Sequence, residues 1–166
     1  MEVFILTERK KSPLLTFLAW FSFAIATLAM VLTCIGFVVL FIVAVVFALT
    51  GYLILSNSNI EYECSYFGDE LRFARIKNKS KRKRLQIIEM DSVITIAPAG
   101  HRSLYNYEND NATKIVDYTS GLKNVPYYEI VVKNTTLSEI IKVELDEKFL
   151  DELSIKYRMK VVRNEE

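Results

Sequence analysis

The distribution of charge along the chain separates a long apolar segment from a polar remainder. Residues 12–60 form a run of 49 positions without one Asp, Glu, Lys, Arg or His. As a single helix, this run would be about 74 Å long, more than twice the roughly 30 Å of a hydrocarbon core. Two spans, at about residues 14–33 and 37–55, fit this length, with a turn at Gly36. The pattern therefore predicts a two-helix transmembrane hairpin.

A secretory signal peptide followed by one span is the alternative interpretation, because Arg9, Lys10 and Lys11 precede the apolar run. The hydrophobic region of a signal peptide is about 7–15 residues long and ends at a cleavage site of small residues. Here the apolar sequence continues to Leu55. This length favours the uncleaved hairpin.

Basic residues flank both predicted spans. Three precede the first span, and a dense basic run follows the second at residues 72–84. Because basic flanks remain on the cytoplasmic side, the pattern predicts a multi-pass protein of the cell membrane with both termini cytoplasmic. Two cysteines in the whole chain are too few for a disulfide scaffold, which agrees with a reducing compartment.

Small residues recur along one stripe of each predicted span. Such stripes let helix backbones approach closely in lipid, so they predict the contact between the antiparallel spans. The absence of ionisable residues at membrane depth argues against a transporter or channel. The predicted packing positions are Ala19, Ser22, Ala26, Ala29 and Thr33 in the first span and Ala44, Ala48 and Gly51 in the second.

After residue 59 the pattern changes to period-two alternation, which predicts strands. A hairpin is predicted at residues 60–76 around Gly68, and Asp146 is the predicted cap of a closing amphipathic helix. The predicted fold class is α+β: a transmembrane hairpin over residues 1–58, then a cytoplasmic domain over residues 59–166 in which one helix covers a curved antiparallel sheet. The further predicted strands are 85–88, 93–97, 114–119, 127–133 and 137–145, with a turn at 134–136.

A cluster of basic residues follows the second predicted strand. If the first strand leaves the membrane at Ile60 and turns at Gly68, the second returns toward the bilayer and its loop ends near the headgroups. There each Lys or Arg gains about 1 kcal/mol from an anionic leaflet. The alternative is a solvated loop; nucleic acid is not expected, because the neighbouring aromatic residues alternate as core residues do. The candidate headgroup contacts are Lys77, Lys79, Lys81, Arg82, Lys83 and Arg84.

The sequence contains little evidence of a catalytic or metal-binding site. His101 is the only histidine, and its polar surroundings predict a solvated residue. Two cysteines and one histidine in separate segments do not have the spacing of a zinc site. Asp117, Glu129 and Glu144 are expected on strand surfaces, and neither a glycine-rich phosphate loop nor a nucleophile elbow occurs. The sequence predicts a protein that is not an enzyme and has no cofactor.

Several short sequences, in this order along the chain, resemble a known family. They are residues 60–66 after the membrane, the hairpin at 68–71, the basic run 79–84, Ala97-Pro98 and the helix at 146–157. The chain resembles small two-span membrane proteins of Gram-positive bacteria with a pleckstrin-homology-like (PH-like) cytoplasmic domain. This resemblance implies a PH-like fold and a membrane location. It implies no activity, and it transfers no functional residue.

Two functional hypotheses follow. The first is a membrane-anchored, non-enzymatic interaction or scaffold domain, which binds a protein partner or its own copies. The alternative is a sensor, in which the basic loop or the open end of the sheet binds anionic lipid or a small ligand.

Overall fold

The computed structural model describes residues 3–110, 112–133 and 138–163. It divides into two compact units: the helical hairpin together with residues 77–80, and a β-rich unit that combines the N-terminal strand with residues 61–76 and those from Lys81 onward. The helices are α1 (Pro13–Cys34), α2 (Leu40–Asn57), α3 (Tyr105–Glu108) and α4 (Glu147–Tyr157). The strands are β1 (Val3–Glu8), β2 (Ile60–Phe67), β3 (Glu70–Lys77), β4 (Lys81–Glu89), β5 (Val93–Pro98), β6 (Lys114–Asp117), β7 (Tyr128–Lys133) and β8 (Ser138–Val143).

Helices α1 and α2 are long and apolar enough to cross a membrane. Large apolar side chains on both helices are exposed: Phe17 is 71%, Trp20 65% and Ile42 67% exposed. A core helix of a soluble domain would bury such residues, whereas a helix in lipid exposes them. The predicted pair of long apolar helices is confirmed, although α2 begins three residues later than predicted because residues 35–39 form the connection.

The two helices pack through small residues. The Ser22 hydroxyl donates a hydrogen bond to the Phe47 carbonyl oxygen at 3.0 Å, and a Cβ atom on Gly51 would lie 3.2 Å from the Ala19 carbonyl oxygen. These distances show close backbone approach, which small side chains permit. Of the eight predicted packing positions, Thr33 and Ala48 are half-buried. The other six, Ala19, Ser22, Ala26, Ala29, Ala44 and Gly51, are buried.

Strand β1 joins the N-terminus of the chain to the β-rich unit. It pairs antiparallel with β2, from Val3 opposite Tyr66 to Glu8 opposite Glu61. Just beyond β1, Arg9 donates a hydrogen bond from Nη1 to the Tyr62 hydroxyl at 2.7 Å. The prediction assigned residues 1–58 to the hairpin and 59–166 to the domain, whereas in the structure β1 belongs to the β-rich unit. The pairing joins residues on either side of the entire hairpin, so a short sequence window does not reveal it.

The first sheet has the strand order β1-β2-β3-β4. Strands β2 and β3 are joined by Gly68 and Asp69 alone, with φ angles of 57° and 69°. Two positive φ angles are typical of the type I′ turn, whose twist matches that of the flanking strands. The hairpin predicted around Gly68 is therefore confirmed.

The second sheet has the strand order β5-β7-β8-β6. Its pairs are antiparallel except for β6 with β8, which is parallel. The curved antiparallel sheet of the prediction is thus two sheets, one of them mixed; the α+β class with a PH-like domain is confirmed. The turn predicted at 134–136 lies outside the described residues.

Helix α4 closes the β-rich unit as the sequence predicts. The Asp146 carboxylate accepts a hydrogen bond from the Phe149 backbone N–H at 2.8 Å, which caps the helix. Phe149, Leu150 and Leu153 on one side of the helix are buried. Beyond the helix, Val161 forms a parallel bridge to Ile96 on β5.

The pairing of β1 predicts that the β-rich unit is incomplete without the N-terminus. A chain in which residues 3–9 are joined to 60–163 by a two-residue turn should unfold at a higher temperature than residues 60–163 alone. The expected difference is at least about 4–8 °C, the shift that about 1 kcal/mol produces in a domain of this size. Thermal unfolding followed by circular dichroism measures it.

The control for this comparison carries a Gly/Ser segment in place of residues 3–8. This control should melt like the fragment that lacks β1. Equal melting temperatures for all three chains would show that β1 contributes nothing to the stability of the sheet.

Candidate functional site

The turn between β3 and β4 has an unusual backbone. Asn78 and Lys79 have φ angles of 53° and 55°, and the Ser80 N–H donates to the Lys77 carbonyl oxygen at 3.2 Å. Asn tolerates the left-handed conformation, whereas for Lys it carries strain. The turn thus holds a lysine at its tip in a conformation that the surrounding contacts must stabilise.

Asn78 attaches this turn to the end of α2. Its backbone N–H donates to the Asn59 carbonyl oxygen at 3.0 Å, and its side-chain Nδ2 donates to the Ser56 hydroxyl at 3.0 Å. Both partners lie where the apolar sequence of the second span ends. Lys77 and Lys79 therefore flank a residue bonded to the end of a membrane helix.

The remaining basic residues belong to a strand, which corrects the prediction of a basic loop. Lys81–Glu89 forms β4, an edge strand of the first sheet. Its first four residues are exposed and basic, so they lack the apolar alternation by which a strand is recognised. Charged residues are common on edge strands, because they discourage pairing with other chains.

The strand conformation divides the basic run between two faces. Successive side chains of a strand point to opposite sides, so Lys81 and Lys83 share one face while Arg82 and Arg84 share the other. We call these the lysine face and the arginine face. The sequence analysis treated these basic residues as one cluster. In the structure they therefore form two surfaces with different neighbours.

The arginine face borders a cavity of about 130 Å³ on the first sheet. Arg82 forms an ion pair with Glu63 of β2, and Arg72 of β3 forms one with Glu70 at 3.0 Å. The side chains or backbones that line the cavity are those of Ser65, Arg72, Phe73, Ala74, Arg82, Arg84, Gln86 and Ile87. Sequence reasoning missed Ser65, Arg72 and Gln86 here, because the sequence does not show which residues of β2 and β3 lie beside β4.

His101 has a local structural role. Its Nδ1 accepts a hydrogen bond from the Ser103 backbone N–H at 3.2 Å and so caps a short 3-10 turn at Arg102–Leu104. The side chain is exposed. Within the described ranges, no group of three or more His, Cys, Asp or Glu residues could hold a metal ion.

The acidic candidates also have structural partners. Asp117 accepts a hydrogen bond from the Thr119 N–H at 2.9 Å, and Glu144 accepts one from the Ser120 N–H at 2.8 Å. Such bonds satisfy backbone donors in the loop after β6.

Glu129 departs from the expectation of a surface residue, since it is only 1% exposed. Its carboxylate pairs with the Lys142 ammonium at 3.3 Å, and burial raises the pKa of Glu129 despite this partner. Lys142 in turn lies 5.4 Å from the centre of the Tyr127 ring. These contacts describe a buried ion pair between two strands of the second sheet.

Taken together, the two helices and the β-rich unit define a class: a membrane protein in which a helical hairpin accompanies a PH-like domain. The chain belongs to the family described as Bacterial PH-like domain (DUF6106), whose family model matches residues 1–163. The resemblance noted from the sequence is thereby confirmed. The function of this family is unknown, and PH-like domains are generally non-catalytic. No curated protein and no solved structure matches the chain significantly.

Proposed function

We propose that this protein is a membrane-anchored, non-enzymatic interaction or scaffold domain that works at the cytoplasmic face of the cell membrane. Its partner is another protein or a second copy of the chain. The observation that carries this proposal is the pairing of β1 with β2, because these two strands lie on either side of the hairpin in sequence. The domain is therefore tethered to the membrane through two of its own strands.

The same pairing supports the proposed topology. Two paired strands lie on the same side of a bilayer, so α1 must start and α2 must end on that side. Cleavage after a signal peptide would remove β1, which favours the uncleaved hairpin. The basic residues at positions 9–11 and 77–84 support a cytoplasmic location of the domain.

The topology predicts that the connection at residues 35–39 reaches the outer surface. Cys34 at this end of α1 is exposed, whereas Cys64 is buried in β2. A membrane-impermeant maleimide added to intact cells should label the protein, and Cys34→Ala should abolish the label. Labelling that requires permeabilised cells would place the connection inside and reverse the proposed orientation.

The interaction hypothesis predicts a stoichiometric partner that recognises the β-rich unit. Affinity capture of the full-length chain from its native membrane should recover this partner, or a second copy carrying a different tag. The matched control is the hairpin alone, residues 10–60, which should recover neither. Equal recovery by the hairpin alone would attribute the association to the helices and contradict an interaction role for the domain.

Anionic headgroups are a second candidate ligand, favoured by the position of the turn between β3 and β4. The hydrogen bonds from Asn78 to Ser56 and Asn59 hold this turn at the end of the second span. The lysine face begins at Lys81, three positions after Asn78. Lysines this close to an anionic leaflet gain about 1 kcal/mol each before salt screening.

The lysine face should therefore favour anionic over zwitterionic lipid. Native mass spectrometry of the full-length chain should show more bound phosphatidylglycerol than phosphatidylcholine at equal concentrations. Replacing Lys79, Lys81 and Lys83 with Gln should remove this preference, up to about 3 kcal/mol of favourable attraction in the ideal case.

The matched control removes three other exposed lysines, Lys123, Lys133 and Lys148, and so lowers the net charge equally. The control should retain the preference for phosphatidylglycerol. A parallel loss in both variants would show a response to net charge only, and the lysine face would then be a solvated surface.

A further inference from the structure

The cavity on the arginine face has a composition that a purely structural surface does not require. Residues from three strands line it: Ser65 from β2, Arg72 from β3, and Arg82, Arg84 and Gln86 from β4. All of them belong to the β-rich unit, and the cavity measures about 130 Å³.

The polar groups of the cavity are mainly hydrogen-bond donors. A guanidinium group carries five N–H donors and no acceptor. The side-chain Nε2 of Gln86 is buried and has no hydrogen-bond partner. A buried donor without an acceptor is costly and rare in folded proteins. The arginines therefore bring an excess of donors to the cavity, for which a ligand rich in oxygen atoms would supply acceptors.

The charges of the cavity favour an anion as that ligand. Two of the three arginines are paired, Arg72 with Glu70 and Arg82 with Glu63, but all four side chains are partly or largely exposed to solvent. Exposed ion pairs are weak, so an incoming anion can compete for these arginines. Arg84 forms no ion pair within the described residues. The arrangement thus retains positive charge next to the unpaired Gln86 amide.

We propose that this cavity binds a phosphate group, with Arg84 and Gln86 as the principal donors and Arg72 and Arg82 at its sides. Guanidinium groups match phosphate oxygens in bidentate geometry, and the buried Gln86 amide gains its missing acceptor when its side chain turns toward the ligand. This site goes beyond the proposed function, because it uses the face of β4 opposite to Lys81 and Lys83. The phosphate belongs either to a soluble molecule or to a lipid headgroup.

Binding of inorganic phosphate by the full-length chain in phosphatidylcholine nanodiscs tests the site. Isothermal titration in a phosphate-free buffer should show saturable binding, and the Gln86 side-chain amide resonances should shift in parallel. Arg84→Gln should weaken binding by about tenfold or more, as expected for a charge-assisted hydrogen bond.

Lys83→Gln is the matched control, since it removes one charge from the neighbouring position on the opposite face. Its affinity for phosphate should change by less than about twofold at moderate salt. Equal weakening by Arg84→Gln and Lys83→Gln would reveal unspecific attraction and overturn the site. Gln86→Leu, which removes only the uncharged donor, should also weaken binding; thermal unfolding verifies that each variant is folded.

Nanodiscs that contain phosphatidylglycerol distinguish the two sources of phosphate. If headgroups reach the cavity, they should compete with inorganic phosphate in an Arg84-dependent manner; unchanged phosphate affinity assigns the site to soluble ligands. Absence of saturable phosphate binding in neutral nanodiscs overturns the proposal. The lysine-face variant is measured separately, so failure of headgroup binding by the lysine face does not affect this result.

Discussion

The antiparallel pairing of β1 with β2 is the constraint on which the rest of the structure depends. It turns the helical hairpin into an insertion between two neighbouring strands, entered after Glu8 and left before Glu61, which face each other in the sheet. Backbone hydrogen bonds between strands cannot form across a bilayer, which supports the proposed topology with both ends of the hairpin on one side. Sheet formation and membrane topology are thus linked: a single span, or a hairpin cut away by cleavage, would leave β2 with an open edge.

The parts of the fold that could be predicted are those that depend on residues close together in the sequence. The uncharged run predicted the two long helices, and the Asp146 cap with the apolar positions after it predicted α4. Gly68 predicted a turn that needs positive φ angles. Strand β1 could not be predicted in the same way. Its six residues VFILTE lie next to the basic flank of a span, and their partner strand lies beyond both helices. The parallel pairing of β6 with β8 is equally non-local.

The candidate site shows the same limit at the level of side chains. The density of positive charge was evident from the sequence. The division of the basic residues between two faces of β4 was not, because four consecutive basic residues contain no apolar alternation. Once β4 is a strand, Arg84 and Lys83 face opposite sides although they are neighbours in sequence. The cavity then depends on which residues of β2 and β3 lie beside β4. Arg72 and Ser65 have no feature in the sequence that associates them with this group.

Under the two proposals, the two faces of β4 serve two purposes. The lysine face acts by proximity to an anionic leaflet, a weak and salt-dependent attraction that needs no fixed geometry. The arginine face contains directional donors around a cavity, where geometry and not charge alone selects the ligand. Because two strands tether the domain, a partner or lipid at the membrane meets it at a high effective concentration. Under the same proposals, modest affinity at either face is therefore sufficient for occupancy.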